Sequence, residues 1–170
     1  MKTSITILLT TLLLSGFSSP DNAAHVPYVA MSPLGEWAAT CVSPCRLPEE
    51  YQGGGEIDFF LAAALILEDQ GKSLIVDTPV CASACTMLVD ELDFRGVPVC
   101  VSQKTRMGYH LTSITKVEDG THVRFEAYEY RNRVLEYHFL KLGGLPKDGS
   151  FEWISAPFGM GFLPFCHPEP

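Results

Sequence analysis

The sequence predicts a small α/β domain that disulfides stabilise, and three observations lead to that class. Apolar stretches with helical spacing alternate with short β-branched runs between residues 56 and 111, as they do where helices connect neighbouring strands. About 150 residues follow the leader, which is enough for one compact domain. The cysteines are even in number, as expected of a disulfide framework. We therefore expect a single domain built on a βαβ core.

The first helix of this core is predicted at residues 56–70. Apolar residues recur there at helical spacing, and Gly71 follows as a natural C-terminal cap. The other sides of this helix are also apolar, which predicts that it is almost wholly buried. The β-branched run "KSLIVDT" then predicts an interior strand of a parallel sheet over residues 73–77.

A second helix is predicted from Ser83 to Gly96, and the runs "VPVCVS" and "RMGYHL" predict two strands after it. Strand, helix and strand in close succession form a βαβ unit, whose crossover we expect to be right-handed. Beyond it, "HVRFEAY" predicts an extended segment, and apolar residues between Tyr128 and Leu142 mark one face of a helix. The C-terminal part from residue 145 is predicted to be mostly irregular. Loops are also predicted at Pro27, Pro33, Pro44 and Pro48.

The first residues have the order of a secretory signal peptide. A lysine near the start precedes an apolar stretch from Ile5 to Leu14, and small residues follow. That stretch is too short to span a bilayer comfortably. We expect residues 1–24 to be a signal peptide, with cleavage near residue 18 or 24, and residues 25–170 to form a domain in the periplasm or outside the cell.

The cysteines are expected to form disulfides, although the sequence leaves their pairing open. Two of the spacings are C-x3-C, which fits neither the usual zinc spacing nor a C-x-x-C redox site, so we expect no metal. The last cysteine is expected to tether the C-terminal tail. The disulfide candidates are Cys41, Cys45, Cys81, Cys85, Cys100 and Cys166.

The charge of the chain argues against nucleic acid as a partner. Asp and Glu number 20 against 12 Lys and Arg, which gives a formal net charge of −8. No cluster of lysine and arginine is present to neutralise a row of phosphates or an anionic membrane surface. A peptide or protein is the expected substrate or ligand.

Ser83 stands at the predicted junction of a strand and a helix, which gives it two possible roles. A serine hydroxyl becomes a nucleophile when a base takes its proton and when backbone amides stabilise the oxyanion. The first amides of the helix and the glycines at 53–55 are candidate donors, and His110 is the candidate base. Serine is equally a favoured helix N-cap, in which role its oxygen bonds to an amide two or three residues on.

The order "GGG", apolar helix, "SLIVDT", "CASAC" and "RMGYHL" resembles the Clp protease proteolytic subunit and the wider Clp/crotonase superfamily. The motif "CASACT" followed by a G-x-H segment is similar to exported Clp-protease-like proteins of proteobacteria, over about residues 53–111. The resemblance implies a repeated βαβ core and a homo-oligomer. It implies Ser83 as nucleophile, His110 as base, and an oxyanion hole formed by amides of Gly54 or Gly55 and of Ala84.

The acid of the triad is the point at which the sequence departs from that family. The family's catalytic aspartate lies near a segment resembling "FEWISAP", where this chain has Phe151. Glu152 and Asp148 are candidates to replace it, although the resemblance assigns neither. Some exported proteases with this fold use a Ser/Lys pair, but we prefer His110 as the base. The alternative lysines are Lys104 and Lys116.

Two functions follow from these residues. The first is an exported serine hydrolase, most readily a peptidase, that uses Ser83 and His110 without a cofactor. The second is a catalytically inactive binding or assembly module that keeps the fold and its disulfides. The departure at Phe151 favours the second, and the retained serine, histidine and glycines favour the first.

Overall fold

A computed structural model describes residues 32–111, 113–118, 121–126, 129–146 and 148–167, so the predicted signal peptide lies outside the described residues. The helices are α1 (Pro33–Thr40), α2 (Ile57–Asp69), α3 (Ala84–Phe94), α4 (Arg133–Lys141) and α5 (Ala156–Gly159), with a 3-10 turn at Glu49–Tyr51. The strands are β1 (Cys45–Arg46), β2 (Leu74–Val76), β3 (Val80–Ala82), β4 (Val99–Val101), β5 (Arg106–Tyr109), β6 (Ser113–Glu118), β7 (Thr121–Glu126) and β8 (Glu152–Ile154). None of the helices in these ranges is long and apolar enough to span a bilayer.

Within the described residues, the strands form two three-stranded sheets and one two-stranded sheet. In the first sheet the order is β1-β2-β4 and all pairs are parallel, with β2 in the centre. In the second sheet the order is β3-β5-β8, where β3 and β5 are parallel and β8 runs antiparallel to β5. Strands β6 and β7 form a separate antiparallel pair. The predicted α/β class and the interior position of β2 are therefore confirmed.

The connection from β2 to β4 contains more than the predicted helix. Strand β3 precedes α3 within it and pairs with β5 in the second sheet. The chain thus leaves one sheet, joins the other for three residues, and enters α3 directly from that strand. Ser83 lies at this junction, and it is there because β3 and α3 meet without an intervening loop.

The expectation that the first predicted helix is buried on nearly all sides is wrong. In α2 only Phe60, Ala63, Ala64 and Leu67 are buried, and Leu65 is 49% exposed. Helices α1 and α3 pack on α2, and Asp58, Leu65, Glu68 and Asp69 on its remaining surface are exposed. The helix that is buried all round is α3, in which every residue from Ala84 to Leu92 is buried.

Three further expectations need correction. Pro33 occupies the first turn of α1, where its missing N–H costs no hydrogen bond, so this proline begins a helix instead of marking a loop. The C-terminal part is not wholly irregular, because it contains β8, which pairs with the edge of β5, and α5. The helix predicted between Tyr128 and Leu142 is shorter, and Leu142 lies beyond its end and is exposed. Tyr128 lies outside the described residues.

All six cysteines are paired in three disulfides, as predicted. Cys41 bonds Cys45, Cys81 bonds Cys85, and Cys100 bonds Cys166. The third bond joins β4 to the C-terminal tail, across 66 residues of chain. The tether predicted for the last cysteine is therefore confirmed.

Candidate functional site at Ser83

Ser83 adopts a backbone conformation that side chains rarely occupy. Its φ is 56° and its ψ is −127°, and no other residue except glycine has a positive φ in the described ranges. A non-glycine residue in such a region costs about 1–3 kcal/mol. Ser83 is the single residue between β3 and α3, so the change from strand to helix is made at its backbone. A strained strand-to-helix turn of this kind presents the nucleophile in many hydrolases.

Backbone hydrogen bonds hold this turn in place. The amide of Ser83 donates to the carbonyl of Gly108 at 3.0 Å, which continues the β3–β5 pairing by one residue. The carbonyl of Ser83 accepts from the amide of Thr86 at 2.9 Å and from the Thr86 hydroxyl at 2.6 Å. The Thr86 hydroxyl also lies 2.8 Å from the hydroxyl of Tyr130.

Sequence reasoning missed Thr86 and Tyr130. Both are buried, and burial is the main cause that raises the pKa of the Tyr130 phenol, which therefore stays protonated at physiological pH and can donate. A threonine three residues into a helix is a local signal, because its hydroxyl can reach a carbonyl one turn back. Tyr130 lies 44 residues after Thr86 and has no such signal.

The disulfide Cys81–Cys85 bridges the same turn. Its two cysteines flank Ser83 symmetrically, two residues before it and two residues after it, and both are fully buried. In the G-x-S-x-G turns of other hydrolases, glycines occupy these positions. In this chain a covalent bond links the end of β3 to the first turn of α3.

Ser83 does not cap its helix through its side chain. No described amide donates to its hydroxyl. The oxygen instead lies 2.7 Å from Nε2 of His110, which follows the last residue of β5. The two residues predicted to form a nucleophile and base pair are thus within hydrogen-bond distance, in the geometry expected when Nε2 accepts the serine proton.

The glycines before α2 reach the same turn. A Cβ built on Gly54 would lie 2.7 Å from the Ala84 nitrogen and 2.7 Å from the Ser83 Cβ. The backbone of Gly54 is therefore closer to the Ser83 turn than any residue with a side chain could come. The amide of Gly54 donates to the carbonyl of Tyr51 at 3.1 Å, which occupies it. The amide of Gly55 has no acceptor in the described part of the chain, so it is the more available of the two predicted glycine donors.

The amide of Ala84 is the first of α3 and so has no acceptor within the helix. Burial of the whole of α3 up to Leu92 keeps water from screening the positive end of the helix dipole. The predicted oxyanion donors Ala84 and Gly55 thus belong to two segments that meet beside Ser83.

Asp148 and Glu152, the two candidate acids, have different positions relative to His110. Asp148 accepts hydrogen bonds from the amide of Ser150 at 3.0 Å and from its hydroxyl at 2.6 Å, and these bonds lower the pKa of the Asp148 carboxyl. Glu152 pairs with Tyr109 across β5 and β8. Because side chains alternate along a strand, Glu152 leaves the sheet on the face opposite to His110.

Phe151 lies across from His110, at the position where the family resemblance implies an acid. The two rings lie 4.8 Å apart in an edge-on arrangement. The lysine alternatives are elsewhere. Lys104 is exposed in the turn before β5, at the end of that strand farther from His110. Lys116 lies in β6.

Within the described ranges, no group of three or more His, Cys, Asp or Glu side chains is arranged to hold a metal ion. Comparison of the chain with protein-family models, with curated proteins and with solved structures finds no match.

Proposed function

We propose that this protein is a serine hydrolase of the Clp/crotonase type that cleaves peptide or protein substrates outside the cytoplasm. One observation carries the proposal. Ser83 is held in a strained turn at the start of α3, and its hydroxyl meets His110 Nε2 at 2.7 Å instead of capping the helix. A serine that served only as an N-cap would gain nothing from that strain.

The reaction follows from this geometry. His110 Nε2 takes the hydroxyl proton while Ser83 Oγ attacks the carbonyl carbon of the scissile bond, and the carbonyl π electrons move to oxygen. The amides of Ala84 and Gly55 stabilise the oxyanion. As the carbon–nitrogen bond breaks, the protonated His110 gives its proton to the departing amine. Water then attacks the acyl-Ser83 ester by the same steps in reverse and restores the enzyme.

The proposed location rests on the cysteines and on the leader. Three disulfides that consume every cysteine are typical of proteins in an oxidising compartment such as the periplasm or the extracellular space. The signal peptide predicted at residues 1–24 would deliver residues 25–170 there. Self-association, which the family resemblance implies, is part of the proposal, and light scattering on the mature chain checks it.

A fluorophosphonate probe tests the proposal directly, because it phosphonylates only a serine whose proton is removed and whose oxyanion is stabilised. The purified mature chain should be labelled at Ser83, as located by peptide mass spectrometry. Ser83→Ala and His110→Ala should both abolish labelling, and Ser155→Ala, at the exposed N-cap of α5, should not. Labelling that persists in Ser83→Ala would contradict the proposal.

The second candidate function is a binding or assembly module without catalysis. Two observations favour it: the Phe151 ring packs against His110 where the family has its acid, and the Gly54 amide is occupied. In a Ser-His-Asp triad, loss of the orienting acid lowers the rate by several orders of magnitude, and Phe151 stands where the resemblance expects that acid. A chain that binds peptides but resists the probe in both the parent and the Phe151→Asp variant would support this second function.

A further inference from the structure

The outer face of the second sheet carries a continuous row of side chains that leads away from His110. Phe151 lies 4.8 Å from His110, ring centre to ring centre, and Trp153 lies 5.3 Å from Phe151. The guanidinium carbon of Arg106 lies 4.7 Å from the centre of the Trp153 ring. We call Phe151, Trp153 and Arg106 the outer strip.

The strand register explains why these residues share one face. Gly108 pairs with Trp153, and the residues two positions away from Gly108 are Arg106 in β5 and His110 just after it. Since side chains alternate, these positions face outward while the intervening ones face the core. Met107, Tyr109 and Ile154 are at most 2% exposed, whereas Trp153 is 38% exposed.

Glycine at position 108 allows the strip to reach the site. A Cβ built there would lie 2.7 Å from Cζ3 of Trp153 and 3.1 Å from the Ala82 Cβ. The indole therefore covers the backbone of Gly108, whose carbonyl bonds the amide of Ser83. An aromatic surface thus begins directly beside the reacting serine.

Arg106 forms no ion pair with a carboxylate in the described part of the chain. Among the arginines whose side chains the structure describes, Arg46, Arg95, Arg131 and Arg133 each pair with a carboxylate, and Arg106 has no such pair. Its guanidinium lies over the Trp153 ring and the residue is exposed, so a ligand in solution can reach its N–H groups. An uncompensated arginine edge in a chain of net charge −8 favours a carboxylate as its ligand.

We propose that the outer strip binds an extended peptide that carries a carboxylate, with apolar side chains on Phe151 and Trp153 and the carboxylate on Arg106. The inference rests on the proposed hydrolase function, because the strip starts at His110. Arg106 begins β5 and His110, four residues later, directly follows it, which is about 13 Å at the rise of a strand. An extended substrate covers that distance in about four residues, so the carboxylate lies about three or four residues from the bond that is cut.

Two sources can supply this carboxylate, the C-terminus of the peptide or an Asp or Glu side chain. The test uses isothermal titration of the Ser83→Ala chain, which binds without cleaving, with four acetylated apolar hexapeptides. They end in a free carboxylate, in an amide, in an amide with one Glu, or in an amide with Gln at the same place. We expect the matching carboxylate peptide to bind roughly three- to tenfold more tightly than its neutral partner at low salt.

Variants of two arginines locate the effect. Arg106→Gln should remove the preference for the carboxylate, and Arg133→Gln, a matched change at an exposed arginine on α4, should preserve it. Intact disulfide mass and circular dichroism verify folding. If Arg106→Gln fails to fold, the Ser83→Ala chain alone still decides the matter, because a contact with Arg106 must lose its preference at about 1 M salt.

Equal binding of all four peptides, no binding of any, or equal losses in both arginine variants would each overturn the inference. Its failure is distinguishable from failure of the hydrolase proposal. If Ser83 is labelled by the fluorophosphonate but the carboxylate peptides bind no more tightly, only the proposed binding of peptides to the outer strip is contradicted. A carboxylate preference without labelling supports the strip as a binding surface and removes its link to hydrolysis.

Discussion

Ser32 and Ser83 both precede a helix directly, yet the chain uses them in opposite ways. Ser32 has φ −68° and ψ 151°, an ordinary extended conformation, and its hydroxyl accepts the Gly35 amide at 3.0 Å. Ser83 has φ 56° and ψ −127°, and its hydroxyl meets His110. The hydroxyl of Ser32 thus accepts a hydrogen bond from an amide in the first turn of α1. The hydroxyl of Ser83 accepts none from the first turn of α3.

The difference lies in what surrounds each serine. Ser32 precedes α1 in an ordinary extended conformation, and Pro33 fixes the first helical φ without strain. Ser83 is held from both sides, by the Gly108 carbonyl, by Thr86 and by the bridge between Cys81 and Cys85. A strained residue persists only when its surroundings determine it in this way, and such residues concentrate at functional sites. Predictions that separate the two serines therefore test the proposed function.

The largest expected effect is on reactivity at position 83. Ser83→Ala should abolish fluorophosphonate labelling and lower any peptidase rate by at least about ten-thousandfold, because it removes the nucleophile. Its free energy of unfolding in urea should change by less than about 1 kcal/mol, since the lost hydroxyl caps no helix. A large loss of stability with little loss of rate would mean that Ser83 is a structural residue.

The next effect concerns the glycine that touches the turn. Gly54→Ala should lower the free energy of unfolding by about 2–4 kcal/mol, because Gly54 has φ +86° and a Cβ would lie 2.7 Å from two atoms of the turn. Gly53→Ala is the matched control, since a Cβ at Gly53 meets nothing within 4 Å. Urea titration of both variants gives the difference, and equal stabilities would refute the close approach.

The two C-x3-C disulfides provide a third comparison. Cys41–Cys45 and Cys81–Cys85 close loops of the same length. Removal of either by paired Cys→Ala changes should lower the free energy of unfolding by about 2 kcal/mol, because the unfolded chain gains entropy. Only loss of Cys81–Cys85 should also slow fluorophosphonate labelling, by about tenfold or more, because only that bond holds the turn at Ser83. Equal labelling rates in both variants would assign the bridge a purely stabilising role.

Much of the fold was accessible from the sequence, because helices α2 and α3 and strands β2, β4 and β5 follow from local apolar patterns. The burial of the two helices was not. The apolar composition of α2 predicted an interior helix, whereas α3, with Asp90 and Glu91, is the interior one. Those carboxylates are buried because tertiary partners satisfy them: Asp90 accepts two backbone amides of the segment before α4, and Glu91 pairs with Arg95.

At the site, the pairing of Ser83 with His110 was suggested by family resemblance and by residue type. The φ of Ser83 was not predictable, since it depends on β3, a strand of three residues that no local pattern signals. The outer strip was also hidden. Its residues come from β5, from β8 and from the position just before β8, and only the antiparallel register between those strands places Trp153 beside Gly108.

The smallest expected effect is the counterpart at Ser32. Ser32→Ala should lower the free energy of unfolding by about 1 kcal/mol, because the Gly35 amide loses its acceptor, and it should leave fluorophosphonate labelling unchanged. Ser32→Asn should restore the stability, since asparagine caps as well as serine does and Asn132 already caps α4 through the amides of Val134 and Leu135.

Ser83→Asn should restore nothing, because an amide side chain cannot replace the nucleophile. If asparagine were tolerated equally at both positions, with labelling retained, Ser83 would be a cap like Ser32, and the hydrolase proposal would lose the observation that carries it.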